Sequence, residues 1–202
     1  MANDEMIKID GVPIDYQYPD LPTGCEATAL SILLRWANVD TDKFDVADNL
    51  PKGREVHEVN GKWYGANPNE TFVGDPYSDG SSYGVFEKPI LATIEKYLPG
   101  KGVNLTGKNF NDILQIVKNG KPVMTWTTLK QKDSYYAKSW EDNHGNIIDW
   151  YNNEHAVVIV GYDSDFIIVH DPDTGKEEHY LRERFKKNWE SMGKRSVTLD
   201  VS

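Results

Sequence analysis

The chain has 202 residues, of which 39% are hydrophobic and 27% charged, enough for one domain or one domain of two lobes around a cleft. Its 32 acidic residues against 22 basic ones give a net charge of −10, which argues against nucleic acid and anionic membranes, whose fields would repel it. No apolar run nears the roughly 18 residues that span a bilayer, and a single cysteine excludes an internal disulfide.

The segment Met1-Ala2-Asn3-Asp4-Glu5 is acidic and lacks the basic start and apolar core of a signal peptide. The expectation is a cytoplasmic protein, or an exported one whose leader is missing from this sequence. Ile7, Ile9 and Val12 alternate and run through Tyr16-Gln17-Tyr18-Pro19 as an extended arm. Pro22, Thr23 and Gly24 break regular structure, and Cys25 to about Ala37-Asn38 reads as a helix with Ala27, Leu30, Leu33 and Leu34 on one face. Thr23 as N-cap and Glu26 three residues later predict a capping box. Cys25 then sits in the first turn, where unpaired N–H groups and the helix dipole favour a thiolate. A buried structural cysteine fits the same setting.

Thr41 to Ala47 carries a second helix signal. From Pro51 to Gly84 the pattern dissolves into Gly, Pro, Asn and Asp with scattered aromatics, which predicts an ordered insertion packed by its own Trp63, Tyr64, Phe72, Tyr77 and Tyr83. Phe86 to Tyr97 and Asn109 to Asn119 read as helices, and Pro122 to Thr128 as a strand. Residues 129–153 form a long excursion or loose hairpin. His155 to Tyr162 and Phe166 to His170 are strands joined by a turn, Glu177 to Leu181 a third strand, Arg182 to Met192 a helix, and Arg195 to Val201 a closing strand. Early helices and a late antiparallel sheet give an α+β class.

Thiol catalysis needs a base and a group to orient it. Of five histidines, His57, His144 and His179 lie in polar surroundings that read as solvated. His155 opens the most hydrophobic strand, and Asp171 lies as far beyond Asp163, in the turn, as His155 lies before it. In an antiparallel hairpin the two face each other about 5 Å apart, which fixes the imidazole's tautomer and favours its protonated form. An incidental cross-strand polar pair is the plain alternative. His170 points to the opposite face and replaces His155 only if the register slips by one.

Cys25 and His155 are 130 positions apart, within the range of about 130–150 in papain-like enzymes, although the local papain signature around the cysteine is absent. There is no His-Glu-x-x-His, paired cysteine or Asp-rich loop, so neither a metal site nor a cofactor is expected. Trp140, Trp150 and Tyr151 either line a substrate cleft or pack internally.

The segments Leu21-Pro22-Thr23-Gly24-Cys25-Glu26-Ala27-Thr28-Ala29-Leu30, Phe72-Val73-Gly74-Asp75-Pro76, Gly120-Lys121-Pro122-Val123, Glu154-His155-Ala156-Val157-Val158, Gly161-Tyr162-Asp163 and Asp171-Pro172 together resemble the C39-like peptidases, bacterial relatives of the bacteriocin-leader peptidases. The likeness runs from about Val12 to Val201. It implies a papain-like fold with Cys25 as nucleophile, His155 as general base and then acid, Asp171 as orienter, and an oxyanion hole from the Cys25 N–H and an upstream glutamine, for which Gln17 is the candidate. Gln17 precedes the cysteine by eight positions, a longer gap than in the leader peptidases or papain. Leader peptidases carry Asp-Cys-Gly where this chain has Gly24-Cys25-Glu26, so their cleavage after a double glycine does not carry over.

The expectation is therefore one papain-like domain over residues 1–202, with a helical lobe over roughly 16–120 and a sheet lobe over roughly 121–202. It would hydrolyse peptide bonds of a peptide or protein substrate through a thioester. The competing readings are a catalytically silent peptide or cell-wall binding module, and a thiol acyltransferase or deamidase. The resemblance places it outside the cell or in the envelope.

Overall fold

A computed structural model describes residues 5–202. Met1 to Asp4, most of the acidic segment weighed above as a signal peptide, lie outside the described residues. In chain order the elements are β1 (Ile7–Lys8), α1 (Cys25–Trp36), α2 (Lys43–Asn49), β2 (Lys52–Gly53), β3 (His57–Val59), β4 (Lys62–Tyr64), β5 (Phe72–Val73), α3 (Glu87–Tyr97), β6 (Gly102–Asn104) and α4 (Phe110–Lys118). They continue with β7 (Val123–Thr128), a 3₁₀ turn (Leu129–Gln131), β8 (Tyr135–Glu141), β9 (Ile147–Asn152), β10 (Glu154–Tyr162), β11 (Phe166–Asp171), β12 (Lys176–Leu181), α5 (Arg182–Ser191) and β13 (Ser196–Leu199). The α+β class stands.

The main sheet has the order β12-β11-β10-β7-β13-β6, with β1 extending it beside β10. Strand alternation sorts its side chains onto two cores. Met124, Trp126, Ala156, Val158, Val160, Ile168 and Val197 face α1, α2 and α3. Val123, Val157, Ile159, Ile167 and Val169 face Phe110, Ile113, Leu114 and Val117 of α4 and Phe185 and Trp189 of α5. A strand covered on both faces cannot alternate apolar and polar residues, which is why β10 reads as a continuous apolar run. Helix α1 is sandwiched likewise, so every residue from Cys25 to Leu34 is buried.

Residue 120 is not a boundary between a helical and a sheet half: α4 covers the reverse face of the main sheet, β1 and β6 belong to that sheet, and α1 packs directly on it. The apolar stripe of α4 can be buried only against another apolar face, and the sheet supplies it.

The insertion at 51–84 is ordered, as expected, and more regular than its composition implied. A β3–β4 hairpin turns at Asn60 and Gly61, both with positive φ (50° and 80°), and joins a four-stranded sheet in the order β3-β4-β8-β9. The excursion at 129–153 supplies the β8–β9 hairpin. A third core of Val56, Ala66, Val73, Trp140 and Trp150 lies under this sheet, with Tyr83 and Phe86 against it. Buried indoles need a partner for their N–H, and three find one: Trp126 Nε1 donates to Val85 O, Trp140 Nε1 to Ala66 O, and Trp189 Nε1 to Ser196 Oγ. No helix of the described residues is long and apolar enough to cross a membrane.

Candidate active site

Three segments meet at the start of α1: the arm through Gln17, the loop around Gly84, and the first residues of β10. Gly24 precedes the helix because a Cβ there would lie 2.5 Å from Leu21 Cβ. The predicted capping box is not formed. The Thr23 hydroxyl instead donates to Asp75 O and Ser78 O, tying the insertion to the helix start, and no side chain caps α1. Glu26 turns inward, where its Oε1 accepts the Val85 N–H at 3.0 Å. A fully buried carboxylate must find donors inside the protein, and that requirement outweighs capping.

The first intrahelical bond of α1 runs from Thr28 N–H to Gly24 O, so the N–H groups of Cys25, Glu26 and Ala27 precede the ladder. Cys25 is only 7% exposed. Its Sγ lies 3.1 Å from Glu26 Oε2, so the thiol donates to that carboxylate and not to His155. Burial, and then the charges of Glu26 and Glu154, push the thiol well above its ordinary range; the Ala156 N–H opposes them and is outweighed. The helix-start position thus does not yield a thiolate in this arrangement. Cys25 Sγ and one oxygen each of Glu26 and Glu154 lie within 4.8 Å of one another. Within this cluster the hydrogen bond runs from the Cys25 thiol to Glu26 Oε2.

His155 and Asp171 are brought together. His155 Nε2 lies 2.6 Å from Asp171 Oδ1, with both side chains buried. A carboxylate accepts, so Nε2 carries the proton and Nδ1 presents its lone pair. Asp171 Oδ1 also accepts the Asp173 N–H, and Oδ2 accepts the Tyr180 hydroxyl. Burial alone would raise the Asp171 carboxyl, but the His155, Tyr180 and Asp173 donors overcome it and hold the group below the usual aspartate range. Tyr180, on β12, was not singled out from sequence; it is pushed far up by burial and by the Asp171 charge.

Gln17 is buried near the same place. Its main-chain N–H donates to Pro172 O, next to Asp171. Its side-chain Nε2 donates to Leu21 O and Pro22 O at 3.2 Å each, which uses both amide protons, while Oε1 is buried without a partner. Service as an oxyanion donor requires release of one of those bonds. His170 stays outside the pair, opposite Val158, with Nδ1 bonded to Pro13 O. His144 and His179 are exposed and His57 half-buried, close to the solvated reading.

A cavity of about 230 Å³ opens beside Glu154, floored by Phe86, Trp150 and Met192 and rimmed by Asp149, Tyr151 and Arg195. Neither Cys25 nor His155 lines it. Phe86 and Trp150 stack there at 5.7 Å between ring centroids, and Trp150 also belongs to the third core, so the internal packing weighed for it from sequence is present.

Sequence reasoning missed the Glu26–Glu154 contact. The available signal was a single acid in each of two segments with no other Asp, Glu, Lys or Arg, Cys25 to Leu34 and Glu154 to Val160.

Comparison with known proteins places these features in a lineage. The model of the Peptidase_C39 like family matches residues 9–197. The uncharacterized protein YvpB of Bacillus subtilis (strain 168) is 31% identical over 181 residues, spanning 90% of this chain and 70% of that protein. The crystal structure of a candidate C39-like peptidase from Bacillus anthracis superposes with a TM-score of 0.89 at 33% identity, covering 98% of this chain and 99% of the other.

Proposed function

The chain belongs to the Peptidase_C39 like family, and from that premise we propose that it is a cysteine peptidase using Cys25, His155 and Asp171. The observation that carries the reading is the buried His155–Asp171 hydrogen bond, which uses Nε2 and leaves Nδ1 for the thiol, in the strand whose next residue, Ala156, shares a core with Cys25. When the thiol leaves Glu26, His155 Nδ1 takes its proton and the sulfur attacks the peptide carbonyl. The N–H of Cys25, with Gln17 if its amide is released, binds the oxyanion. Imidazolium then protonates the leaving amine, and a water deprotonated by His155 hydrolyses the thioester. Asp171 keeps the imidazole in one tautomer throughout.

The substrate in this reading is a peptide or protein; the net charge of −10 speaks against nucleic acid or membrane as partner. Work outside the cell or in the envelope is the part of the reading that rests on the family resemblance alone. One observation favours a second reading, a silent binding module: the thiol is bonded to Glu26 and held protonated. Hydrolysis of peptide substrates by the intact chain and by Cys25→Ala separates the two. Loss of turnover in Cys25→Ala supports the peptidase; equal hydrolysis by both proteins overturns it. Capture of the acyl group by added amines would mark a transferase.

A further inference from the structure

We propose that Glu26 is a positioning residue that holds the Cys25 thiol as a hydrogen-bond donor in a resting arrangement, with Glu154 sharing one proton with it. The inference rests on Cys25 being the nucleophile and concerns what keeps it at rest.

The geometry assigns each proton. Glu26 Oε1 is fixed by the Val85 N–H and Oε2 faces the Cys25 thiol at 3.1 Å. One carboxyl oxygen of Glu154 lies within 4.8 Å of one of Glu26, out of solvent, and two carboxyl groups so placed are stable only with a proton between them. Glu154 Oε1 is buried with no hydrogen bond, a setting that favours the neutral acid. Burial raises the Glu26 carboxyl too, but its Val85 and Cys25 donors favour its ionised form, so the proton resides on Glu154 and Glu26 is the carboxylate that accepts from Val85 and Cys25. Burial and the Glu26 charge raise Glu154 well above the ordinary range, in agreement with this assignment. The chain closes over the pair at Gly84, where a Cβ would lie 2.5 Å from Glu26 Oε1 and 2.9 Å from Glu154 Oε2.

The charges around the cluster come from every side. Helix α1 supplies Glu26, and β10 supplies Glu154 and His155. The segment before β13 brings Arg195, whose charge acts on Glu154 and whose guanidinium is paired with Glu87 of α3 at 2.7 Å. The arm brings the Tyr18 phenol, which burial and the nearby Asp173 charge push up to about 12. The carboxylate in contact with the sulfur opposes thiolate formation. An incoming substrate or a turn of the Cys25 side chain has to break the Glu26 contact before His155 can take the proton. No proton is lost or gained in the rest state; the step exchanges a thiol–carboxylate bond for a thiol–imidazole bond.

Iodoacetamide alkylation of the single cysteine tests this without relying on turnover. Glu26→Gln removes the charge, so the midpoint of the alkylation pH profile should fall by about one unit or more, and the rate at pH 7 should rise roughly tenfold. Glu154→Gln leaves Glu26 ionised and still able to accept, so its midpoint should match the parent or lie higher. A profile for Glu26→Gln superimposed on the parent overturns the proposal, as does an equal acceleration in both variants, which marks mere loosening. If Glu26→Gln does not fold, the Raman S–H band of the intact chain decides. A band displaced to hydrogen-bonded frequency at neutral pH upholds the assignment; a free-thiol band, or none, refutes it. Peptide hydrolysis surviving in Cys25→Ala would instead sink the peptidase reading while leaving the S–H result intact.

Discussion

His155 and Asp171 are hydrogen-bonded at 2.6 Å although they are not cross-strand partners. The β10–β11 register sets Val158 opposite His170, which, extended by one residue, puts Asp171 beside Val157. The expected symmetry about Asp163 is therefore off by two positions. An offset of two keeps every side chain on its own face, so the pair forms along the diagonal, within reach of a long side chain. An offset of one would have presented His170 in its place.

Asp171→Asn should leave the fold intact and lower kcat by roughly 100- to 10,000-fold, because an amide can settle the imidazole in the wrong tautomer and cannot stabilise its cation. Steady-state kinetics on a cleaved peptide check this. A parent-like kcat would assign the pair a structural role alone.

Tyr180→Phe deletes a hydroxyl that donates to a buried, ionised Asp171. A hydrogen bond to a charged group contributes about 1.5–3 kcal/mol, and urea unfolding at pH 7 should show a loss of that size. Asp171 is held below its ordinary value of 3.8, so the stability it contributes is present above that pH and is lost as pH falls through its lower folded value. The gap between parent and variant should accordingly narrow in acid. A gap constant across pH would mean the hydroxyl acts by packing only.

Glu154 presents the opposite sign. Its folded value lies well above the ordinary glutamate value of 4.5, so the native state holds a proton that the unfolded chain releases above that pH. Its contribution is complete below 4.5 and declines as pH rises toward the folded value. Glu154→Gln cannot ionise. Its stability relative to the parent should rise with pH above 4.5 by up to about 1.4 kcal/mol per unit. Parallel stability curves between pH 5 and 8 would contradict the shared-proton assignment.

The sequence was most legible where one local rule dominated. The α4 stripe, the α2 helix and the antiparallel pairing of β10 with β11, though not its register, formed as read. His155 was identifiable because a polar residue opening an apolar strand needs a reason. Errors arose where tertiary demands overrode local ones. Thr23 and Glu26 match a capping box, yet Thr23 is drawn to the 75–78 loop and Glu26 to Val85, 59 positions away. The Asn60-Gly61 turn was readable as a hairpin signal between Val59 and Lys62 but was submerged in a run of turn-forming residues. Each of Glu26 and Glu154 stood out in its own segment, but their pairing could not be read, since no local pattern links residues so far apart, and neither could the Tyr180 contact from β12 to Asp171.

The most direct test of the central claim is intact-mass spectrometry of the chain after brief incubation with a peptide library and acid quenching. The account predicts a covalent acyl adduct localised to Cys25, peptide products that appear in parallel, and neither with Cys25→Ala. Products formed equally by Cys25→Ala, with no adduct on Cys25 in the intact chain, would contradict it.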